Sequence, residues 1–443
     1  MREPKVLIII VTFNKKEYVA NLLETLRAIT HTNHDIVVVD NASTDGTVAL
    51  LEETFPGLHL IKNQENNGGS GGFNTGLAYA FTQQGYDYLW LLDNDVEVAP
   101  DALSRLIEVL EQHGDIAVAG SQMCQLDNPA VTNEVGAYVD LRHGRLVLNR
   151  HLSRKANNAT GIHDVDYVAA ASLLIRAEVA KKAGLWEDFF IHFDDVDWCL
   201  RIREMGYRVV GVADSVIWHV SAAEKPITWA MYYDVRNMLF LLQSHATRQD
   251  VGRFGRRKVL QAIHCELRGL TPLAELIFEA IEDFLQAKKG KKAFHLPREE
   301  DDAVIAKTHP ASDVLLFPDE WFDPMRFPCD DHSLDSVKEI VLPAHLPDAG
   351  WYWHRKGGAP VKNHGALAKI ALALLGLLTG HRRYRRAYAS IRNMGFLPAL
   401  LAEEVVVKIA ERSWLLKRDR MTVWRTTFRA MRRGIRLYWK LLT

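Results

Sequence analysis

Apolar runs alternate with amphipathic stretches through the first 245 residues of the chain. The continuous apolar runs VLIIIVTF, DIVVVD and YLWLL are typical of parallel strands that are covered on both faces. Between them lie polar stretches, such as KKEYVANLLETLRAI, whose apolar positions recur at helical spacing. Strands that alternate with helices predict an α/β fold with a mostly parallel, doubly wound sheet and helices on both faces.

The pattern changes after His245, and the chain divides into three predicted regions. Residues 1–245 form the α/β domain. Residues 246–365 are predicted to be mixed helical and irregular, because Pro, Asp and His are frequent there and no clear period is visible after residue 290. Residues 366–443 are predicted to be a basic tail built mainly from α-helices.

Neither a membrane span nor a disulfide framework is expected. No run of 18 apolar residues occurs, and the opening MREPKVLIIIVTF makes a poor signal peptide because its apolar run is short. The four cysteines are widely spaced, with no CxxC pair. These features are consistent with a cytoplasmic protein.

The net charge of −1 hides a strongly basic tail. From His381 to Thr443 the chain has 16 Lys and Arg against four Asp and Glu, a charge of about +12. Apolar residues of the final stretch step by three or four positions, which places them on one helical face: Trp424, Phe428, Met431, Ile435 and Trp439. Basic residues lie mostly beside or opposite that face: Arg425, Arg429, Arg432, Arg433 and Arg436.

This tail predicts peripheral contact with a membrane, with a helix lying among the lipid headgroups. The alternative is that its aromatic face packs on the catalytic domain or on a second subunit, so a homo-oligomer is left open. A nucleic-acid partner is not expected for this tail.

The motif Asp93-Asn94-Asp95 follows the buried run YLWLL directly. The strand brings two carboxylates to the carboxyl edge of a parallel sheet, where ligands bind in open α/β folds. Two hard oxygen donors suit Mg²⁺ or Mn²⁺ bound to a diphosphate. A polar turn that caps the next helix would look similar, but this position after this strand favours a metal site.

Two further segments are suited to a nucleotide sugar. Asp40, at the end of DIVVVD, can accept a hydrogen bond from a base N–H or a ribose hydroxyl, or it can simply shape the loop. The glycine-rich loop that contains Asn67, Gly71, Gly72 and Asn74 precedes a helix and lets the backbone approach a phosphate or a sugar. It is neither a Walker A loop nor a dinucleotide fingerprint.

Adjacent carboxylates occur again at Asp194 and Asp195, at a predicted helix start, where they can cap the helix or act as a general base. His219 follows in IWHV and is a plausible third metal ligand, although its spacing alone does not assign it that role.

Taken together, the motifs resemble the family 2 inverting glycosyltransferases, which have the GT-A fold. VTFNKKEYVANLLETL, VVVDNASTDGT, NxGGSGGFNTG, LLDNDVEVAPDAL and FDDVDWCLRIREMGY…IWH occur in the order of that family, over roughly residues 5 to 245. Within it, the GGSGGF loop, the DDxDWxLR helix, the IWH strand and the YYxxRN segment are most similar to bacterial galactofuranosyltransferases, with rhamnosyltransferases close by.

The resemblance implies a role for each site residue. Asp93, Asp95 and His219 would hold Mn²⁺ or Mg²⁺, and Asp195 would be the catalytic base, with Asp194 as the fallback. Asp40 would contact the nucleotide base. The remaining residues expected at the nucleotide sugar are Thr12, Asn14, Asn94 and the glycine-rich loop.

The resemblance also implies a reaction: inverting transfer of a sugar, galactofuranose favoured and rhamnose the alternative, from a nucleoside-diphosphate donor. A UDP-sugar is favoured and a dTDP-sugar is the alternative. The acceptor would be a hydroxyl of a cell-surface or lipid-linked glycan, at the cytoplasmic face of the inner membrane. The large polymerising relatives carry a β-rich domain before the catalytic one, whereas here the catalytic strand starts at residue 5. Single addition or polymerisation is therefore left open.

Other classes fit the sequence less well. A sugar nucleotidyltransferase should show a glycine-rich activation loop after its first strand, and VTFNKKEYV has no glycine there. A non-catalytic nucleotide-sugar-binding protein would tolerate loss of the base and the metal ligands, and all of them are present. A membrane scaffold built on the basic tail would not account for five ordered motifs.

Overall fold

A computed structural model describes residues 2–149, 160–219, 230–267, 271–293, 314–316, 384–390, 402–409, 412–417 and 420–442. The chain divides into two compact units. The first contains Met1–Ser221, Arg236–Phe254 and Asp283–Ala293, and the second contains Ala222–Val235, Gly255–Glu282 and Phe294–Thr443. Part of the region predicted to follow the α/β domain, residues 283–293, thus belongs to the same unit as the sheet.

The strands of the first unit follow the apolar runs of the sequence. In chain order they are β1 (Val6–Thr12), β2 (His34–Asp40), β3 (His59–Lys62), β4 (Tyr88–Asp93), β5 (Val96–Val98), β6 (Ile116–Gln125), β7 (Thr132–Glu134), β8 (Ala137–Asp140), β9 (Arg145–Leu148), β10 (Ile162–Val165), β11 (Leu173–Arg176) and β12 (Arg208–His219). β8 and β9 form a separate hairpin, and the other ten strands form one sheet.

The ten-stranded sheet has the order β10-β12-β6-β11-β4-β1-β2-β3, with β5 paired to β12 and β7 to β6. The pairings make β1, β2, β3, β4, β6 and β12 run in one direction, and the other four strands run in the opposite one. The predicted α/β fold with a mostly parallel sheet is thereby confirmed.

Helices follow the amphipathic stretches. They are α1 (Lys16–Leu26), α2 (Thr47–Thr54), α3 (Gly68–Thr82), α4 (Ala102–Gln112), α5 (Ala177–Ala183), α6 (Asp194–Glu204), α7 (Ala230–His245), α8 (Arg248–Leu267), α9 (Thr271–Leu285) and α10 (Arg420–Lys440).

Helices cover both faces of the sheet. Ile8 and Ile10 of β1 share a buried cluster with residues of α1 and α4. On the other face lies α3, where a Cβ on Gly76 would come within 2.3 Å of Ile9 Cγ2. Successive strand residues point to opposite faces, and both faces are covered, so the positions of β1 from Val6 to Val11 are all apolar.

The C-terminal region, for which mainly α-helices were predicted, also contains strands. Besides helices it contains a four-stranded sheet of β13 (Val314–Leu316), β14 (Tyr384–Ser390), β15 (Ala402–Ile409) and β16 (Arg412–Lys417). β15 includes three consecutive valines, whose branched side chains favour strands over helices. Residues 366–383 of the predicted tail lie outside the described residues. None of the helices in the described part is long and apolar enough to span a bilayer.

Candidate active site

The carboxyl ends of four parallel strands, together with the start of α6, form what we call the active-site edge. Thr12 at the end of β1 is paired with Asp40 at the end of β2, and Val11 is paired with Asp93 at the end of β4. β12 runs in the same direction and ends at His219. The sheet register therefore brings polar residues from widely separated motifs to one edge, as expected for an open α/β fold.

Asp93, Asp95 and His219 form a cluster with metal-binding geometry. Each offers one ligand atom, and the three atoms lie within 4.8 Å of one another. The short strand β5 follows Asp95 and pairs with β12, with His219 opposite Val96. His219 Nε2 lies 3.2 Å from Asp95 Oδ1. Two carboxylates and one imidazole suit Mn²⁺ well, and they leave coordination positions for diphosphate oxygens.

Asp40 is buried, with 2% of its surface exposed. Its Oδ2 accepts a hydrogen bond from Ser43 N at 3.0 Å, while Oδ1 has no hydrogen-bond partner among the described residues. A buried acceptor without a donor is unfavourable by about 1–3 kcal/mol. The arrangement thus suits a ligand that supplies an N–H or O–H group.

Asn14 and Thr12 hold the loops around Asp40 and Asp93. Asn14 has a left-handed backbone (φ 50°), and its Oδ1 accepts a hydrogen bond from Thr44 N at 2.7 Å. Asn94 Nδ2 donates to Thr12 Oγ1 at 2.9 Å, which ties the Asp93–Asp95 turn to the end of β1. These residues lie at the active-site edge, and their hydrogen bonds fix the loops that border it. Their contact with a nucleotide sugar stays a prediction.

The glycine-rich segment, predicted to be a loop that precedes a helix, is itself helical from Gly68 onward. Its glycines permit close contact within the protein: a Cβ on Gly72 would lie 2.3 Å from Val11 Cγ1, and one on Gly71 would lie 2.3 Å from Asn67 Cβ. Both ends of the Asn74 amide bind the main chain of Trp186. The contacts of Gly72 and Asn74 are thus with the protein itself, whereas Asn67 is exposed.

Asp194 and Asp195 begin α6. Asp194 is buried and accepts a hydrogen bond from Ser70 Oγ at 2.6 Å. Asp195 Oδ2 accepts one from Ala170 N at 3.2 Å. Burial raises the pKa of both carboxyls above their usual value, and the charge of Asp194 raises the pKa of Asp195 further. The field of Asp93 acts in the same sense on Asp195, so the base candidate and the metal cluster interact electrostatically.

Residues 7–182 match the family model described as Glycosyl transferase family 2. The chain contains a family 2 glycosyltransferase domain. The resemblance inferred from the sequence motifs is thereby confirmed.

Two curated relatives of the family 2 domain are galactofuranosyltransferases. The chain is 27% identical over 201 residues to galactofuranosyltransferase GlfT2 of Mycobacterium tuberculosis, which covers 42% of this chain and 32% of that protein. It is 26% identical over 209 residues to GlfT2 of Mycolicibacterium smegmatis, with 42% and 31% covered. The chain thus spans about a third of the length of these relatives.

Solved structures similar to this chain include the mannosyltransferase PcManGT from Pyrobaculum calidifontis in complex with GDP-Man and Mn²⁺. It is 18% identical with a TM-score of 0.41, and the match covers 65% of this chain and 89% of that one. Staphylococcus aureus TarS 1-349 in complex with UDP-GlcNAc is 17% identical with a TM-score of 0.44, and the coverages are 64% and 81%.

Asn41 is a residue of the family 2 domain that the sequence did not single out. Its Nδ2 donates to Gly68 O at 2.8 Å and to Asn66 Oδ1 at 3.1 Å, and its Oδ1 accepts from Asn67 N at 3.3 Å. Asn41 therefore joins the end of β2 to the start of α3. The only signal in the sequence was its place beside Asp40.

Glu134, on the edge strand β7, was also missed. Burial raises its pKa to about 7, partly opposed by the charge of His219. Burial also raises the pKa of Tyr167 well above its usual value, with further contributions from the charges of Glu134 and Asp195. A single Glu in the unpatterned stretch TNEVGAYVD gave no basis for placing it near the active-site edge.

Proposed function

We propose that this chain transfers a sugar, with inversion, from a nucleoside-diphosphate donor to an acceptor hydroxyl in an Mn²⁺- or Mg²⁺-dependent reaction. Galactofuranose from a UDP-sugar is favoured, because the two GlfT2 relatives carry that name. Rhamnose from a dTDP-sugar is the alternative. The observation that carries the proposal is the cluster of Asp93, Asp95 and His219 at the same edge as the adjacent carboxylates Asp194, which is buried, and Asp195, which is partly buried.

The residues around Asp40 support binding of the nucleoside-diphosphate donor. Its Oδ1, which has no partner in the described part of the chain, would accept a hydrogen bond from the nucleotide base, and Thr12 and Asn14 border the same position. Asp93, Asp95 and His219 would hold the metal ion. A divalent cation bound there would neutralise the charge that develops on the leaving diphosphate.

Asp195 would act as the general base. It would take the proton of the acceptor hydroxyl while the hydroxyl oxygen attacks the anomeric carbon, and the nucleoside diphosphate would leave from the opposite face. Burial and Asp194 raise the pKa of Asp195, which moves it toward the range in which a carboxylate is an effective base near neutral pH. Ser70, through its bond to Asp194, would orient the pair.

The second unit supports a membrane-linked acceptor. α10 presents an exposed apolar row that includes Phe428 (68% exposed), Ile435 (57%) and Trp439 (63%). Beside it runs a row of exposed basic residues, Arg429, Arg432, Arg436 and Lys440. An apolar row flanked by positive charge suits the headgroup region of an anionic bilayer. The side chains of Trp424 and Arg425, predicted to extend these rows, lie outside the described residues.

The remaining face of α10 packs against α8 and α9. Arg433 lies over the ring of Phe278 and forms ion pairs with Glu275 and Glu282, the latter at 2.7 Å. A Cβ on Gly434 would approach Ile263 Cδ1 to 2.6 Å, so the helix lies directly on α8. Arg433, predicted among the lipid-facing arginines, therefore contacts α9. A preformed helix held on one face would expose its apolar row without the cost of folding at the bilayer.

A panel of nucleotide sugars tests the proposed function. UDP-galactofuranose, UDP-galactopyranose, UDP-GlcNAc, GDP-mannose and dTDP-rhamnose would be compared for protection against thermal unfolding and for donor hydrolysis, each with Mn²⁺ and with EDTA. We expect the largest protection and turnover with UDP-galactofuranose and Mn²⁺. Preference for dTDP-rhamnose would select the alternative, and binding without hydrolysis or transfer of any donor would identify a non-catalytic binder.

A further inference from the structure

The segment Phe189–Phe193, which leads directly into α6, has an unusual backbone. Phe190, His192 and Phe193 are left-handed, with φ of 68°, 65° and 69°. Residues with a Cβ avoid this region, because the Cβ comes too close to the following carbonyl oxygen. Three such residues within four positions require surrounding contacts that hold the segment in place.

Two consecutive residues of α7, Arg236 and Asn237, supply most of these contacts. Asn237 Nδ2 donates to the carbonyl oxygens of Phe189, Ile191 and His192, at 3.1, 2.7 and 3.2 Å. Arg236 Nη2 donates to Phe189 O at 3.0 Å. The two remaining carbonyls of the segment also accept hydrogen bonds, Phe190 O from Ser70 N and Phe193 O from Asp197 N.

The two side chains are buried and fix each other. Arg236 is 1% exposed and Asn237 is fully buried. Arg236 Nε donates to Asn237 Oδ1 at 3.0 Å, so the NH₂ group of the amide must face the segment. Arg236 Nη1 reaches Gly290 O at 2.8 Å, which adds a third anchor. The pattern uses the guanidinium as a donor to three acceptors and the amide as both donor and acceptor, so it needs a guanidinium beside a carboxamide.

The opposite side of the segment contacts the start of α3. A Cβ on Gly68 would lie 1.9 Å from Phe190 O, and Ser70 binds both Phe190 O and the carboxylate of Asp194. The segment is thus held between α7 and the glycine-rich turn. Immediately after it, the chain continues into Asp194 and Asp195.

We propose that Arg236 and Asn237 are positioning residues for the catalytic base. They act through the carbonyl groups of residues 189–193, whose fixed backbone sets the position of Asp194 and Asp195 relative to the glycine-rich turn. The proposal rests on the proposed role of Asp195 as the base. It gives the RN of the YYxxRN motif a function that neither donor nor metal binding had explained.

The test combines amide exchange with kinetics in the full chain. Asn237→Ala removes the donors, and Arg236→Lys keeps the charge but loses the planar fork. Arg176→Lys is the matched control, because Arg176 also donates to main-chain carbonyls, Ile116 O at 2.9 Å and His113 O at 3.2 Å, outside the base segment. Exchange in α1 reports any general destabilisation.

For Asn237→Ala we expect amide exchange over residues 186–197 to rise at least about tenfold relative to exchange in α1. The kcat with UDP-galactofuranose and Mn²⁺ should fall at least about tenfold, because a small displacement of a catalytic group is costly. The Kd of UDP with Mn²⁺ should change less than about threefold, since UDP lacks the anomeric carbon and the acceptor hydroxyl on which the base would act. Arg236→Lys should also raise the exchange rate and lower kcat while leaving the Kd of UDP nearly unchanged, but to a smaller extent. Arg176→Lys should change neither the exchange over residues 186–197 nor kcat.

Unchanged exchange over residues 186–197 in both variants would overturn the proposal whatever the donor. So would faster exchange with unchanged kcat, or equal losses of UDP affinity and kcat. If Asn237→Ala does not fold, Arg236→Lys tests the proposal with the same three measurements: amide exchange, kcat and the Kd of UDP. A wild-type enzyme that turns over no UDP-galactofuranose would refute the proposed sugar instead, and the kinetic arm would then use the donor that the panel selects.

Discussion

The active-site edge and the outer face of α10 depart from ordinary protein surfaces in opposite ways. At the edge, carboxylates such as Asp40 and Asp194 are buried, where burial opposes their charge. On α10, large apolar side chains such as Phe428 and Trp439 are exposed. Each arrangement is unfavourable in the isolated chain, and each becomes favourable with a ligand of the right chemistry: a cationic and hydrogen-bonding one at the edge, an amphipathic one on the helix.

The two regions also differ in how their groups are held. Side chains at the edge are bound by several strands and loops that are distant in sequence, as the partners of Asn41 and Asp194 illustrate. The exposed rows of α10 follow from helical spacing alone. We therefore expect single substitutions at the active-site edge to lower the rate of transfer by orders of magnitude. Substitutions on α10 should weaken membrane binding by smaller steps.

The largest effect is expected at the metal cluster. Asp95→Ala removes one of two carboxylate ligands, and we expect transfer to fall by about three orders of magnitude or more, because charge on the leaving diphosphate is no longer neutralised. EDTA should abolish transfer by the wild-type enzyme, and Mn²⁺ or Mg²⁺ should restore it. The circular dichroism spectrum of the variant should stay that of the wild type. Full activity in EDTA would remove the metal from the mechanism.

Next in size is the base. Asp195→Asn keeps the shape of the side chain but cannot accept the proton, so turnover should fall by about two orders of magnitude while donor affinity stays close to wild type. Asp194→Asn is the matched neighbour, and we expect a smaller loss because Asn can still accept the hydrogen bond from Ser70. If Asp194→Asn is inactive and Asp195→Asn is active, Asp194 is the base and Asp195 is its neighbour.

On α10, the double substitution Ile435→Ser/Trp439→Ser should weaken binding to anionic vesicles by about tenfold or more, since two exposed apolar side chains no longer enter the bilayer. Flotation with phosphatidylglycerol vesicles at low and high salt measures this binding. Leu260→Ser, which removes an exposed leucine from α8, is the control and should float like wild type. Wild-type protein that fails to float at low salt would exclude the lipid contact, and sedimentation would then test for a second copy of the chain.

The attachment of α10 should contribute a smaller, measurable stability. Arg433→Met breaks the ion pairs to Glu275 and Glu282, and we expect the free energy of unfolding of the second unit to fall by about 1–2 kcal/mol. Arg429→Met, on the exposed row of the same helix, should change it by less than about 0.5 kcal/mol. Urea denaturation followed by far-ultraviolet circular dichroism compares them, and equal effects of the two substitutions would contradict the anchoring role.

The smallest effect concerns pH. Burial lowers the pKa of His245, but its hydrogen bonds to Asp197 and Glu204 outweigh this and leave it raised. The folded protein therefore binds the proton more tightly, and the resulting stability is complete below the unfolded pKa of about 6.5 and is lost as pH rises through the folded value. The difference in melting temperature between wild type and His245→Gln should shrink from about pH 6 to pH 9. A difference that grows over that range would have the wrong sign.

Much of the fold and half of the active-site edge could be read from local patterns. Continuous apolar runs predicted the parallel strands, and Asp40 and Asp93 were singled out because they follow two of those runs, at the edge where ligands bind in open α/β folds. Thr12 entered only through the resemblance to the family. The amphipathic row of α10 was equally visible, since helical spacing is a property of the sequence itself. His219 could be assigned a role only through resemblance to the family, because its contact with Asp95 requires the pairing of β5 and β12.

The tertiary structure alone decided the features that depend on distant partners. Gly72 lies against β1, Arg433 contacts α9, and Asn237 binds three carbonyls more than 40 residues away in the chain. The valine-rich segment of β15 is a strand that pairs with β14 on one side and β16 on the other. Periodicity and propensity act over a few residues, whereas these contacts form when the folded chain buries a donor or a charge and must satisfy it with whichever group is then near. Local sequence thus determined which groups could carry the chemistry, and long-range packing determined which of them meet.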